Sequence, residues 1–242
     1  VSKWKGAWFL AKQELVRDRW RSIIMVVLIG YILLFTLPVF IDSLTESEED
    51  SMSWLADFIY LSLLPCLGFV LNNTMMNYFK KDTYSKKLAY LRTLPITPQQ
   101  IALGRLIQLT IVLFTAQLIY FVAQYVIIHF ASSVVIDFGD FALYALFWFG
   151  YSLTIATSYV YWEMGYSGKI YMAVCTLVAI LFLGIAITIT WLGQGNIVIG
   201  ILEAIEEGNW WIALITPAIS AITIPLGYRV LSNRIAKRNY IV

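Results

Sequence analysis

Six stretches of this chain, residues 22–41, 54–76, 106–130, 141–162, 170–192 and 210–228, are almost unbroken apolar runs. Each is about the 20 residues that a helix rising about 1.5 Å per residue needs to cross a hydrocarbon layer about 30 Å thick. No soluble core could absorb them, because 60% of the chain is hydrophobic and only 13% charged, where a soluble domain is about a quarter charged. The expected fold is an all-α integral membrane domain of six transmembrane helices that takes up residues 1–242. The longest connection, residues 77–105, is far too short to be a catalytic soluble domain. Energy for any work must therefore come from a gradient or from another chain.

Charge sorts by side. Lys3, Lys5, Lys12, Arg17, Arg19 and Arg21 precede the first run. Lys80, Lys81, Lys86, Lys87, Arg92 and Arg105 lie in the second connection, Lys169 in the fourth, and Arg229, Arg234, Lys237 and Arg238 in the tail; together these are all 17 basic residues. The alternate connections hold Asp42, Glu46, Glu48, Glu49, Asp50, Asp137, Asp140, Glu203, Glu206 and Glu207, with no Lys or Arg among them. The positive-inside bias then expects both termini in the cytoplasm, in agreement with an even number of spans.

Before the first span, Trp4, Trp8, Ala11 and Leu15 repeat at helical spacing, with Lys5, Lys12 and Arg19 on another side. Residues 1–21 are expected to form an amphipathic helix in the membrane interface, near anionic headgroups, or at the least a basic flank that sets topology. Trp20, Trp162 and Tyr228 at one set of span ends, and Trp54, Trp191, Trp210 and Trp211 at the other, read as aromatic belts. No cleavable signal peptide is expected, since the first apolar run follows a long charged segment and continues for a full span. Residues 193–209 have an apolar middle, too short to cross and too apolar for water, and are expected to be a re-entrant or half-buried outer helix. Cys66 and Cys175 fall inside spans and read as small packing residues rather than a disulfide or a metal site.

Much chemistry is excluded. The single histidine, His129, cannot build a histidine metal cluster. "GYSGK" at residues 165–169 lacks the spacing and the Ser or Thr after the lysine that a phosphate loop requires. Asp57 and Glu163 sit near span ends rather than in a midplane relay of the kind that ion coupling uses. What the third span offers is a polar stripe: Thr110, Gln117 and Gln124 at steps of seven, with Tyr120 nearby. An amide in hydrocarbon needs a partner, so this face meets either other helices or a transport pathway.

The second connection is built like a machine part. Tyr84, Leu88 and Leu91 place residues 82–94 on a short amphipathic helix, which Pro95 ends by removing a donor and restricting Leu94. A second helix starts at once: Thr97 caps it, Pro98 suits its first position, and Gln100 completes a capping box. A linker meant to be flexible would use Gly and Ser.

"LRTLPITPQQIALGRL", residues 91–106, resembles the first cytoplasmic coupling segment of the permease subunits of ATP-binding-cassette exporters of the second type. The layout is similar too, with an interfacial helix before the first span, cytoplasmic termini, a small fourth connection and short outer helices before the sixth span. The resemblance implies a permease that dimerises with a second copy or a paralogue and docks on a separate cytoplasmic ATPase subunit. That partner, not this chain, would bind ATP and magnesium; this chain would be neither an enzyme nor a cofactor protein. It further implies that Thr93, Leu94, Pro95, Ile96, Thr97, Pro98, Gln99 and Gln100 form the coupling elbow. Glu163, Met164, Gly165 and Tyr166 would form the smaller second contact.

The functional expectation is the membrane subunit of an ATP-driven exporter in the cell membrane, with lipid around it and no nucleic acid among its partners. Its aromatic, apolar interior suits a hydrophobic or amphipathic cargo such as a peptide better than a sugar polymer. The rivals are a membrane sensor or assembly protein that docks a soluble partner by the same elbow, and a gradient-driven six-helix transporter.

Overall fold

The computed structural model describes residues 2–17, 20, 22–44, 53–69, 88–91, 93–131, 136–192 and 196–238. They form helices α1 (Lys3–Arg17), α2 (Ser22–Leu44), α3 (Ser53–Cys66, continued by a 3-10 turn Leu67–Phe69) and α4 (Pro98–Ala131). There follow α5 (Phe138–Gly165), α6 (Gly168–Trp191), α7 (Ile197–Glu206) and α8 (Ile212–Lys237). No strand occurs among the described residues.

Five helices, α2, α4, α5, α6 and α8, are long and apolar enough to cross a membrane, so the chain is an all-α protein of the multi-pass membrane class. Six crossings were expected. The second run accounts for the difference: its apolar helix, Trp54–Phe69, is shorter than a span, and residues 70–76 lie outside the described residues. So do the first acidic loop at 45–52, the start of the amphipathic segment at 82–87, and residues 193–195.

The centre of the bundle is α4 and α5, each buried over nearly half its span. Helix α5 packs along most of α8, and α3 packs against α2, α5 and α6. Close crossing of α5 and α8 depends on Gly150, where any Cβ would collide with the backbone of Thr216 and Pro217. The Thr216 hydroxyl also donates to the Phe147 carbonyl across the same crossing. Aromatic side chains fill the middle: Tyr60, Tyr120, Tyr144 and Trp148 are fully buried, with the Tyr60 and Trp148 rings 4.8 Å apart and edge to face. Helices α6 and α8 leave most of their apolar surface open to the surroundings, the arrangement expected of helices whose neighbour is lipid.

Helix α1 has two distinct faces. Ala7 and Ala11 are its buried residues and pack on the start of α4, while Trp4, Trp8 and Phe9 point outward. Small residues are the reason. A Cβ on Gly104 would sit 2.9 Å from the Ala7 carbonyl oxygen, and one on Gly6 would sit 2.5 Å from Gln100 Nε2, so the two backbones touch there. Trp8 is 53% exposed and free to meet an interface on the outward face. Trp20, Trp191, Trp210 and Trp211 are also exposed at helix ends.

The segment before the sixth run is a separate helix. Val198, Ile199, Leu202 and Ile205 of α7 are buried against the bundle, and its charged side faces outward. It stops at a Schellman motif, with Asn209 N–H donating to Ala204 O at 3.1 Å and Gly208 N–H to Ile205 O at 2.9 Å. Gly208 supplies the left-handed φ of 94° that this stop requires.

Candidate functional site

One end of the bundle gathers α1, the elbow, the α5–α6 turn and the end of α8. Residues 88–91 are helical. The chain then closes tightly: Leu94 N–H donates to Leu91 O at 3.3 Å, and Ile96 N–H donates to Leu94 O at 2.7 Å across Pro95, a three-residue turn. The Thr93 hydroxyl returns to Tyr90 O at 2.8 Å. Helix α4 opens with the capping box that its residues imply. Thr97 N–H donates to Gln100 Oε1 at 2.9 Å, and Gln100 N–H donates to Thr97 Oγ1 at 3.3 Å. Pro98 occupies the first helical position, where no donor is lost. Thr93, Leu94, Pro95, Thr97 and Gln99 are exposed, Ile96 and Pro98 half-buried, and Gln100 is buried beneath Gly6. The elbow thus presents its turn to the outside and its capping amide to α1.

Two turns into α4, Arg105 makes a buried ion pair with Glu163 at the end of α5. Its Nε donates to Oε2 at 3.1 Å, and Nη2 donates to Oε1 at 3.1 Å and Oε2 at 3.0 Å. Arg105 Nη1 donates to Gln108 Oε1 at 2.9 Å, and the guanidinium lies 5.4 Å from the Phe69 ring centre. Glu163 is 1% exposed, and the fork meets its carboxylate inside the protein with charge-assisted bonds. In the sequence Arg105 and Glu163 read as separate charges. A lone cation and a lone carboxylate, each inside an apolar helix, are the signal that joins them.

The same turn is braced from α8. The last carbonyls of a helix have no partner within it and sit at its negative end. Here Met164 O accepts from Arg238 Nη1 at 2.9 Å, and Gly165 O accepts from Arg234 Nε at 3.3 Å. Arg234 also lies 4.5 Å from the centre of the Tyr166 ring, and the hydroxyls of Tyr161 and Tyr166 are 3.3 Å apart. Glu163, Met164 and Gly165 are buried and Tyr166 is half-buried. The residues expected as a smaller contact form a corner braced from α8.

The polar stripe of α4 splits. Gln124 Oε1 accepts from Tyr60 at 2.9 Å, and the Tyr120 and Thr36 hydroxyls are 3.0 Å apart, so these two bind α4 to α3 and α2. Thr110 returns its hydroxyl to Leu106 O at 2.9 Å within its own helix. Gln117 is buried with both amide atoms unpaired.

At the other end, Asp57 of α3 caps α7 from a distance. One carboxylate oxygen accepts from Ile197 N–H at 3.0 Å and the other from Val198 N–H at 2.9 Å. With its amide oriented to donate, Asn196 also reaches Asp57, at 3.2 Å to Oδ2. A carboxylate at a helix N-terminus meets both the unpaired donors and the positive end of the dipole. Glu206, in the last turn of α7, has its pKa raised by partial burial and by the neighbouring carboxylates Asp140 and Glu203.

No group of three or more potential metal ligands occurs among the described residues. The chain matches no family model, and no curated protein or solved structure is significantly similar to it.

Proposed function

We propose that this chain is the membrane subunit of an ATP-driven exporter, docking through the elbow at residues 93–100 on a separate ATPase that binds ATP and magnesium. The observation that carries the reading is mechanical. An exposed turn tipped by Leu94 and Pro95 continues without a break into a helix long enough to span a membrane, and its base is locked by the capping box and by Arg105–Glu163. A push on such a tip travels along α4, and through Glu163 to α5, instead of being absorbed by loose chain.

In this reading both termini and the elbow are cytoplasmic, where the positive-inside bias puts the basic residues, and the membrane is the cell membrane. A second copy or a paralogue completes the permease. The apolar, aromatic interior suits a hydrophobic or amphipathic cargo. Thr93, Leu94, Pro95, Ile96, Thr97, Pro98 and Gln99 make the main contact with the ATPase, while Glu163, Met164, Gly165 and Tyr166 hold the second corner behind it.

The test is purification from the native host and identification of what accompanies the chain. An ATPase carrying a proper phosphate loop is expected. In the reconstituted pair, Leu94→Asp should abolish ATP-dependent cargo accumulation in vesicles. If no ATPase accompanies the chain, or if Leu94→Asp leaves accumulation unchanged, the reading fails.

A further inference from the structure

We infer that the groove between α4 and α5 is a binding site for an apolar peptide segment, with Gln117 recognising the peptide backbone. This rests on the exporter reading above and specifies the cargo chemistry.

The groove has a volume of about 200 Å³ and walls formed by Phe114, Leu118, Phe121, Ala145, Leu146 and Phe149. Phe114 and Leu118 are exposed, so it opens sideways from the middle of α4, where a membrane-spanning helix faces hydrocarbon. A ligand would enter from the bilayer and must be apolar enough to dwell there. Phe114 and Phe149 close around the space with rings 5.7 Å apart, edge to face.

Gln117 is the one polar side chain lining the groove, and it is 2% exposed. Neither its Nε2 nor its Oε1 has a hydrogen-bond partner, whereas Thr110, Tyr120 and Gln124 of the same stripe each make a bond. A buried amide without partners is held at a free-energy cost. Both amide atoms are covered. Binding in this reading requires the Gln117 side chain to turn its amide into the groove that it lines, and because both atoms are unpaired no hydrogen bond is broken in that turn.

What would satisfy this amide needs a donor and an acceptor together on an apolar body. A hydrocarbon chain brings neither. An extended peptide brings both, since the N–H and C=O of one residue point to the same side and pair with a partner as a unit. The alanines at 142 and 145 leave room beside α5 for the chain to lie against the helix.

The experiment uses the full chain in lipid nanodiscs without ATPase. The probe is dansyl-labelled, C-terminally amidated trileucine, titrated by energy transfer from the protein's tryptophans. Its controls are the ester-linked analogue, which lacks backbone donors, and a dansyl alkane of similar length. The peptide should bind, Gln117→Met should weaken it at least tenfold, and the ester analogue should bind weakly and be indifferent to Gln117→Met. Ala145→Trp, which fills the groove without altering the amide, should block the peptide. Gln117→Met should melt no lower than the parent, because an unpaired amide has been replaced by an apolar chain of similar length.

A twofold or smaller effect of Gln117→Met, equal binding of peptide and alkane, or a marked drop in melting temperature for Gln117→Met would each overturn the inference. Peptide binding with no ATPase recovered from the host would instead overturn the exporter reading alone. An ATPase recovered with no peptide binding would overturn only the assignment of the groove.

Discussion

Arg105 and Glu163 form a forked ion pair, with contacts of 3.0–3.1 Å, that joins the first third of α4 to the last turn of α5 inside the protein. Fifty-eight residues of sequence separate them. The pair stands directly behind the elbow, and the turn that follows Glu163 is held in turn by Arg234 and Arg238 of α8. Three helices that pass through different parts of the bundle are therefore registered to one another at one end by charge and backbone bonds rather than by apolar packing alone.

Breaking this pair on one side should be more damaging than removing it altogether. Arg105→Met takes the forked cation from the buried Glu163 carboxylate, and removing one partner of a buried pair costs about 3–5 kcal/mol, whereas a double replacement by apolar residues of similar size is often near neutral. Thermal unfolding in detergent should rank Arg105→Met well below Arg105→Met/Glu163→Leu. A single variant as stable as the double would show that the fork holds nothing in place.

The elbow's capping box is a smaller and more local effect. Thr97→Ala removes the acceptor for Gln100 N–H and should destabilise the first turn of α4 by about 1 kcal/mol, while Thr97→Ser should recover most of it. Hydrogen exchange at residues 98–101 reads the change, and exchange deep in α4 should not move. Equal protection in Thr97→Ala and the parent would mean that packing of α1 over Gln100, not the cap, holds this turn.

How far these features could be read from the chain depended on whether their cause was local. The apolar runs and the Thr97–Gln100 box are visible because span length and helix-start chemistry act within a few neighbouring residues. The face that α1 buries against the protein is not, because Ala7 and Ala11 are weak signals beside Trp4 and Trp8, and the close approach at Ala7 depends on Gly104, 97 positions further on. Asp57 looks like an ordinary span-end carboxylate until α7 is placed on it. The polar stripe was legible as a face, yet its division into bonded Gln124 and unbonded Gln117 depends on where Tyr60 falls on another helix.

Asp57→Ala should free the start of α7. It removes both acceptors from Ile197 and Val198, and bonds to a charged acceptor are worth about 1.5–3 kcal/mol. Exchange of those two amides should rise by roughly 10- to 100-fold, each tenfold corresponding to about 1.4 kcal/mol. Asp57→Asn, which keeps one acceptor, should fall between. Unchanged exchange at both amides in Asp57→Ala would assign the placement of α7 wholly to the burial of Val198, Ile199, Leu202 and Ile205.

The acidic end should be less stable at neutral than at mildly acid pH, and Glu206 is the reason. Its pKa in the folded chain is raised above its usual 4.5, chiefly by partial burial and then by the charges of Asp140 and Glu203. A carboxyl whose pKa rises on folding binds its proton more tightly in the native state. Its favourable contribution is therefore complete below the ordinary value and is lost as pH climbs through the raised one. Glu206→Gln carries no charge at any pH, so it should melt higher than the parent at pH 7 and converge with it near pH 4. The expected signature is a difference between the two melting curves that closes on acidification, measured on the same preparation in one buffer series. A gap that stayed constant from pH 7 to pH 4 would remove Glu206 as the source and leave the substitution's effect to packing alone.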